Sequence, residues 1–105
     1  MNRPPDEFRR IEADQLQAFG SLCFQAAGLR LDHADLTATL LTESDLRGVR
    51  SHGNRALPRY CQALREGRTN PDPDIQVLNE TDTTILIGGD GGLGYAPMMQ
   101  ATLAT

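Results

Sequence analysis

Asp45-Leu46-Arg47-Gly48-Val49-Arg50-Ser51-His52-Gly53-Asn54-Arg55-Ala56-Leu57-Pro58-Arg59-Tyr60 is the stretch on which the architecture turns. Two glycines and a proline interrupt what would otherwise be one long helical run. Pro58 has no N–H and clashes with the turn before it, so it is excluded from a helix interior but suits a first helical position. The spacing predicts a helix that ends at Gly48, a turn or short helix over residues 51–56, and a new helix with Pro58 as its first residue.

The same stretch holds the chemistry. His52 lies between a hydroxyl, Ser51, and Gly53, with Arg47, Arg50, Arg55 and Arg59 close by in sequence. Histidine is the side chain whose ordinary titration falls near neutral pH, so an imidazole in a polar turn suits proton exchange with a substrate oxygen. Ser51 can hydrogen-bond that ring, a substrate or the free N–H groups of the next helix. Gly53 is expected to leave room for a ligand to approach the backbone. Arginines here can grip a carboxylate with two parallel hydrogen bonds. Against this, a turn histidine is more often structural or simply exposed, Ser51 serves equally as a plain N-cap, and most of these arginines read as solvated helix faces.

Upstream, Leu16, Phe19, Leu22, Cys23, Ala26 and Ala27 recur at three- and four-residue steps, which predicts an amphipathic helix over residues 12–27 with this set as its buried face. Gly28 stands where a left-handed residue would close it. Asp32 is expected to N-cap the second helix, with Asp35 in its first turn and Leu36, Leu40 and Leu41 as its buried stripe. Leu57, Tyr60, Cys61 and Leu64 give the third helix an apolar face, closed by Gly67. Downstream the character changes. Residues 69–74, with Pro71 and Pro73, form a linker. Residues 75–78 and 83–87 are β-prone runs joined by a hairpin turn at 79–82. The glycine-rich loop at 88–94 then leads into a last helical stretch with Pro97, Met98, Met99 and Leu103.

A formal charge of −4 over 105 residues gives no electrostatic footprint for nucleic acid or an acidic membrane. No apolar run approaches the ~20 residues that span a bilayer, and the amino terminus lacks a secretory leader pattern. A cytoplasmic location is the expectation. Cys23 and Cys61 have no metal-ligand spacing, so no metal is expected, and both thiols read as buried and reduced.

These residues resemble one family as a set. Asp45-Leu46-Arg47-Gly48, Ser51-His52-Gly53, Leu57-Pro58-Arg59-Tyr60, Leu64-Arg65-Glu66-Gly67, Asn70-Pro71 and Gly89-Asp90-Gly91-Gly92-Leu93-Gly94 are similar to the malate/L-lactate dehydrogenase-like oxidoreductases, relatives of ureidoglycolate, sulfolactate and diketogulonate dehydrogenases. Ala13-Asp14-Gln15-Leu16 and Ala26-Ala27-Gly28-Leu29 fit the family's first helix. The resemblance implies hydride transfer between NAD or NADP and a small 2-hydroxy or 2-keto acid such as malate or lactate. It implies His52 as the catalytic proton donor or acceptor, and a homodimer; Ser51, by its hydroxyl, and Arg55, as a stand-in for the family arginine, are the expected substrate-binding residues. Many members carry an arginine four residues after the histidine, where this chain has Ala56. Arg55 is one place earlier, about 100° around a helix.

The expected fold class is α+β: a loose lead-in at 1–10, a helical subdomain at 11–70, and at 71–105 the incomplete start of a non-Rossmann cofactor-binding domain. Gly89-x-Gly91-x-x-Gly94 matches a dinucleotide fingerprint, but its strand reads as half of a hairpin, which favours a plain turn. Cofactor-binding residues are expected mostly beyond residue 105, and the isolated piece is expected to be inactive. The alternative is a small helical interaction module without catalysis.

Overall fold

The computed structural model describes residues 5–105. Four of the ten residues assigned to the lead-in, 1–4, lie outside them. Helix α1 spans Ala13–Ala26 and α2 spans Leu31–Leu46. Two single-turn 3₁₀ segments, Arg50–His52 and Asn54–Ala56, lead into α3 at Leu57–Arg65. The strands β1 (Gln76–Glu80) and β2 (Ile85–Gly88) form an antiparallel pair, and α4 (Tyr95–Leu103) follows. The chain is thus mixed helix and sheet, the helices dominant.

The core sits between α1, α2 and α3. Phe24, Ala34, Ala38 and Leu41 are wholly buried, and Leu29, Leu57, Cys61 and Leu64 close around them. On α2 the buried residues Ala34, Thr37, Ala38, Leu41 and Thr42 follow the i, i+3, i+4, i+7, i+8 pattern of one helix face. Its threonine hydroxyls do not remain unsatisfied there: Thr37 donates to the His33 carbonyl at 2.7 Å. Small residues bring the helices together. A methyl group at Gly20 would meet Ala38 Cβ at 3.5 Å, which is contact distance. Ser21 donates a hydrogen bond across the seam to Asp35.

This corrects the expected face of α1. Its buried residues are Gly20, Ser21 and Phe24. Phe19 and Leu22 are 58% and 63% exposed, Ala26 is exposed, and Leu16, Cys23 and Ala27 are half-buried. α1 therefore packs through small residues and one phenylalanine and turns its bulkier stripe outward. On α2 likewise, Leu36 and Leu40 are only half-buried, and alanine and threonine supply most of the buried face.

Element boundaries follow the punctuation closely. Gly28, Gly48 and Gly67 all adopt positive φ (104°, 79° and 75°) just beyond the three helices, as a left-handed closing residue must. The α2 N-cap is Arg30 rather than Asp32. Asp32 falls inside the first turn, where its carboxylate accepts the His33 N–H at 3.0 Å and pairs with Arg30 at 2.6 Å. Helix α3 begins one residue before Pro58, still within the first turn where proline is tolerated.

The hairpin register differs from expectation. The first strand runs to Glu80, and a bulge between Val77 and Asn79 shifts the pairing, so that Asn79 faces Leu86 and Glu80 faces Ile85. The turn consequently falls at 81–84, closed by a Thr81 N–H bond to the Thr84 carbonyl at 2.8 Å. Every residue of β1 is exposed. The hairpin projects from the helices, and the radius of gyration, 15.1 Å, exceeds the about 13 Å typical of a compact chain this long. Among the described residues, no helix is long and apolar enough to cross a membrane.

The burial pattern makes opposite demands of two phenylalanines on one helix. Phe24→Ala is expected to lower unfolding free energy by about 3–5 kcal/mol, since it leaves a cavity in the core. Phe19→Ala is expected to change it by no more than about 0.5 kcal/mol. Urea denaturation of the two variants measures both; a larger loss for Phe19→Ala than for Phe24→Ala would place α1 the other way round.

Candidate active site

The turn between α2 and α3 is built by local hydrogen bonds. The Val49 N–H reaches back to the Ser44 carbonyl at 2.9 Å, the His52 N–H to Val49 at 3.1 Å and the Gly53 N–H to Arg50 at 3.2 Å. This tight path leaves Ser51 and His52 exposed on its outer side. Ser51 Oγ lies 2.9 Å from His52 Nδ1, donating to a neutral ring nitrogen or accepting from a protonated one. Neighbours in a turn seldom aim at one another, but here they do. Nε2 then remains as the ring nitrogen that no described residue engages. No carboxylate among the described residues contacts the imidazole, so the third member of a Ser-His-acid hydrolase set is not in place.

Arg55 follows on the second 3₁₀ turn. It is exposed and makes no hydrogen bond or ion pair with any described residue. Ala56, where the resembling family carries arginine, is only 5% exposed and belongs to the packed side of that turn. The charge available to solvent is therefore at 55, not 56. The structure brings Ser51 and His52 into contact and shows no direct contact between either and Arg55.

Gly53 does not serve as expected. Its φ of −101° and ψ of −154° are open to any residue, and it is buried. The space where a Cβ would stand holds the carboxylate of Asp45, not an approaching ligand. Asp45 Oδ2 accepts two hydrogen bonds from Asn54, one from its backbone N–H and one from Nδ2, both at 2.9 Å. Asn54 Nδ2 also reaches Thr42 Oγ1 at 3.1 Å. Its Oδ1 is buried with no partner and faces the open side of Gly20. Sequence reasoning had no reason to join Thr42, Asp45 and Asn54; the one available signal was a glycine that the backbone itself does not require.

The glycine loop is a brace. Asp90 and Gly91 both take positive φ, 52° and 73°. Asn70 N–H bonds the Gly91 carbonyl at 2.9 Å, Asn70 Nδ2 bonds the Asp90 carbonyl at 3.0 Å, and Asp74 N–H bonds Asp90 Oδ2 at 2.8 Å. A Cβ at Gly92 would strike Pro73. The loop's carboxylate and backbone thus tie down the linker, and the preceding strand pairs antiparallel, as a plain turn requires. A phosphate would meet Asp90 here, which disfavours a dinucleotide cradle.

A second polar contact escaped the sequence reading. Tyr60 on α3 and Tyr95 at the start of α4 meet edge to face, ring centroids 5.9 Å apart and hydroxyls 3.2 Å apart, joining the helical core to the glycine loop's helix. The Arg59 guanidinium lies over the Tyr60 ring at 5.5 Å. Burial, then the hydrogen bond to Tyr60, pushes the Tyr95 hydroxyl well above the usual phenol value of 10.0.

Residues 11–104 match the family described as malate/L-lactate dehydrogenase. The chain belongs to that dehydrogenase family. It is 36% identical over 90 residues to the L-sulfolactate dehydrogenase of Methanocaldococcus jannaschii, covering 86% of this chain and 24% of that protein. Against the malate dehydrogenase of Pyrococcus horikoshii it is 36% identical over 89 residues, 85% of this chain and 25% of that protein. The solved structure of the Pyrococcus horikoshii enzyme superposes with a TM-score of 0.87 at 32% identity, over 94% of this chain and 28% of that one. The chain thus spans about a quarter of the length of the curated relatives it matches.

Two outcomes follow from the geometry. Gly53→Ala must displace the Asp45 carboxylate and is expected to cost about 1–3 kcal/mol in a urea melt, despite the permissive backbone. Tyr95 holds its proton more tightly folded than unfolded. Its contribution is therefore complete below the ordinary phenol value and is lost as pH rises through the higher folded value. Absorbance at 295 nm should show Tyr95 phenolate appearing only above that ordinary value, or together with unfolding. Ionisation of Tyr95 at pH 10 in the folded chain would contradict the partly buried hydroxyl contact.

Proposed function

We propose that this chain is the substrate-side portion of an NAD- or NADP-dependent oxidoreductase of small 2-hydroxy and 2-keto acids, with His52 as its proton-transfer residue. The observation that carries the reading is the exposed Ser51–His52 pair, set on a short, internally bonded turn with Ser51 on Nδ1 and no described residue hydrogen-bonded to Nε2. Family membership supports the reaction class. A further relative, 29% identical over 68 residues, is the ureidoglycolate dehydrogenase (NAD(+)) of Escherichia coli, which supports a nicotinamide partner.

A bound nicotinamide would supply the hydride equivalent of such a reaction; the proton is the part this chain's own residues can handle. His52, protonated, delivers its proton from Nε2 to the carbonyl oxygen, so that the 2-keto acid becomes the 2-hydroxy acid and the imidazole is left neutral. In the oxidising direction the neutral ring removes that proton. Ser51 Oγ holds the Nδ1 edge, which leaves the proton exchange to Nε2. Arg55, exposed and uncommitted among the described residues, offers a two-pronged seat for the substrate carboxylate. The residues of this chain do not fit a complete dinucleotide seat, because Asp90 and Pro73 occupy the glycine loop's approaches. On this reading, residues 71–105 begin the cofactor-binding unit and the seat itself belongs to the remaining family length, in a homodimer of small-molecule metabolism.

A second reading, an interaction module without catalysis, draws on the uncovered apolar side chains Phe19, Leu22, Leu78, Leu86, Met98 and Leu103. The two readings separate in one experiment. Residues 11–104 are fused to the complementary carboxy-terminal portion of the Pyrococcus horikoshii malate dehydrogenase, and the fusion is assayed with NADH or NADPH and a panel of 2-keto acids. Turnover is expected from the fusion but not from the 105-residue chain, and His52→Ala in the fusion should lower it by roughly 10²-fold. A His52→Ala fusion as active as the unsubstituted one would remove the imidazole from the chemistry.

A further inference from the structure

The exposed imidazole stands on a turn with an unusual anchor. On its amino-terminal side, His52 is fixed by its own N–H to the Val49 carbonyl at 3.1 Å. On its carboxy-terminal side, the chain passes through buried Gly53 to Asn54, whose backbone N–H and side-chain amide both end on Asp45 Oδ2. Asp45 lies in the last turn of α2, three residues from Thr42, which is 2% exposed and receives the other Asn54 amide hydrogen at 3.1 Å. One carboxylate oxygen thus takes two donors from the residue two places after the histidine, and the core-facing side of α2 takes a third bond. The other carboxylate oxygen fills the place of a Cβ at Gly53. No side chain except glycine's fits at 53 while Asp45 holds this position, although the backbone there would admit any residue.

We propose that Asp45 is a positioning residue for the proton-transfer step, acting through Asn54 and the side-chain-free Gly53 to hold the His52 turn, and hence Nε2, in one pose. The inference rests on the reading of His52 as the proton-transfer group. A hydrogen bond to an ionised acceptor is stronger than one between neutral groups, and a carboxylate that satisfies both a main-chain and a side-chain donor restrains translation and rotation of the turn together. The imidazole itself has only the Ser51 hydroxyl as a described contact, so its placement depends on the backbone that carries it. Preorganisation of this kind matters because a proton donor must already lie within hydrogen-bond reach of the reacting oxygen.

Nuclear magnetic resonance on the 105-residue chain tests this, with His33 at the other end of α2 as the internal control. In the unsubstituted chain the Asn54 N–H should exchange slowly although it lies between exposed residues 52 and 55. Exchange at the rate of an unstructured peptide would overturn the proposal before any substitution. Asp45→Ala should accelerate Asn54 exchange at least about tenfold and broaden or average the His52 ring signals while leaving those of His33 in place. Asp45→Asn, which keeps one acceptor oxygen of the same shape, should recover most of both. If Asp45→Ala unfolds the chain, the asparagine variant alone decides: it must show native His33 signals with partly loosened His52 signals. Unchanged His52 signals in a folded Asp45→Ala variant would overturn the proposal, as would a parallel change at His33. The two claims fail separately, since normal turnover of the His52→Ala fusion would refute the proton-transfer role while leaving the loosened ring in Asp45→Ala unexplained by it.

Discussion

The closeness of α1 and α2 sets everything downstream. Their seam is lined by alanine, glycine, serine and threonine, with Phe24 as the one large side chain wholly buried from α1. Alanine and glycine lose little on burial, and each hydroxyl is satisfied locally: Thr37 by its own helix, Ser21 by Asp35. Because the helices lie so near, α2 has its Thr42 face inward and its last turn held firm. The carboxylate of Asp45 is therefore at a fixed place when the chain reverses. A looser pair built on leucines would leave that last turn without a defined neighbour.

From that fixed point the His52 turn is assembled with few parts. Two 3₁₀ segments carry the chain over the end of α2, and Asn54 returns to Asp45 and Thr42. What remains outside is polar and chemically able: a serine hydroxyl, an imidazole and a guanidinium. The buried side of the same turn, Ala56 and Leu57, joins the core. Position 56 therefore suits a small residue in this chain, and the cation sits at 55. The tyrosine pair and the braced glycine loop do for the second half of the chain what Asp45 does for the turn, fixing α4 and the hairpin base against α3.

Membership of the malate/L-lactate dehydrogenase family accords with this division of labour. The chain corresponds to about a quarter of its relatives' length, and within that quarter the packed part is the helical unit that presents His52. The hairpin stands away from it with both faces of β1 open to solvent. A two-stranded sheet gains little stability without a further strand or a helix against its face, and here α4 packs near β2 while every residue of β1 is exposed. Large apolar side chains on α1, the hairpin and α4 are correspondingly uncovered.

What the sequence determined by itself was punctuation and chemical identity. Gly28, Gly48, Gly67 and Pro58 mark where helices can and cannot continue, because φ sign and a missing N–H are properties of single residues. The Ser51-His52-Gly53 block likewise announced a polar turn and the family. Tertiary structure alone decided which helix face is buried, where the hairpin slips by a bulge, and what Gly53 is for. Those depend on partners far away in the chain: periodicity marks Phe19 and Leu22 as apolar without saying what lies opposite them, and a strand's register is set by its mate. The glycine at 53 is the plainest case, for its need comes from a carboxylate eight residues earlier that only folding brings to the spot.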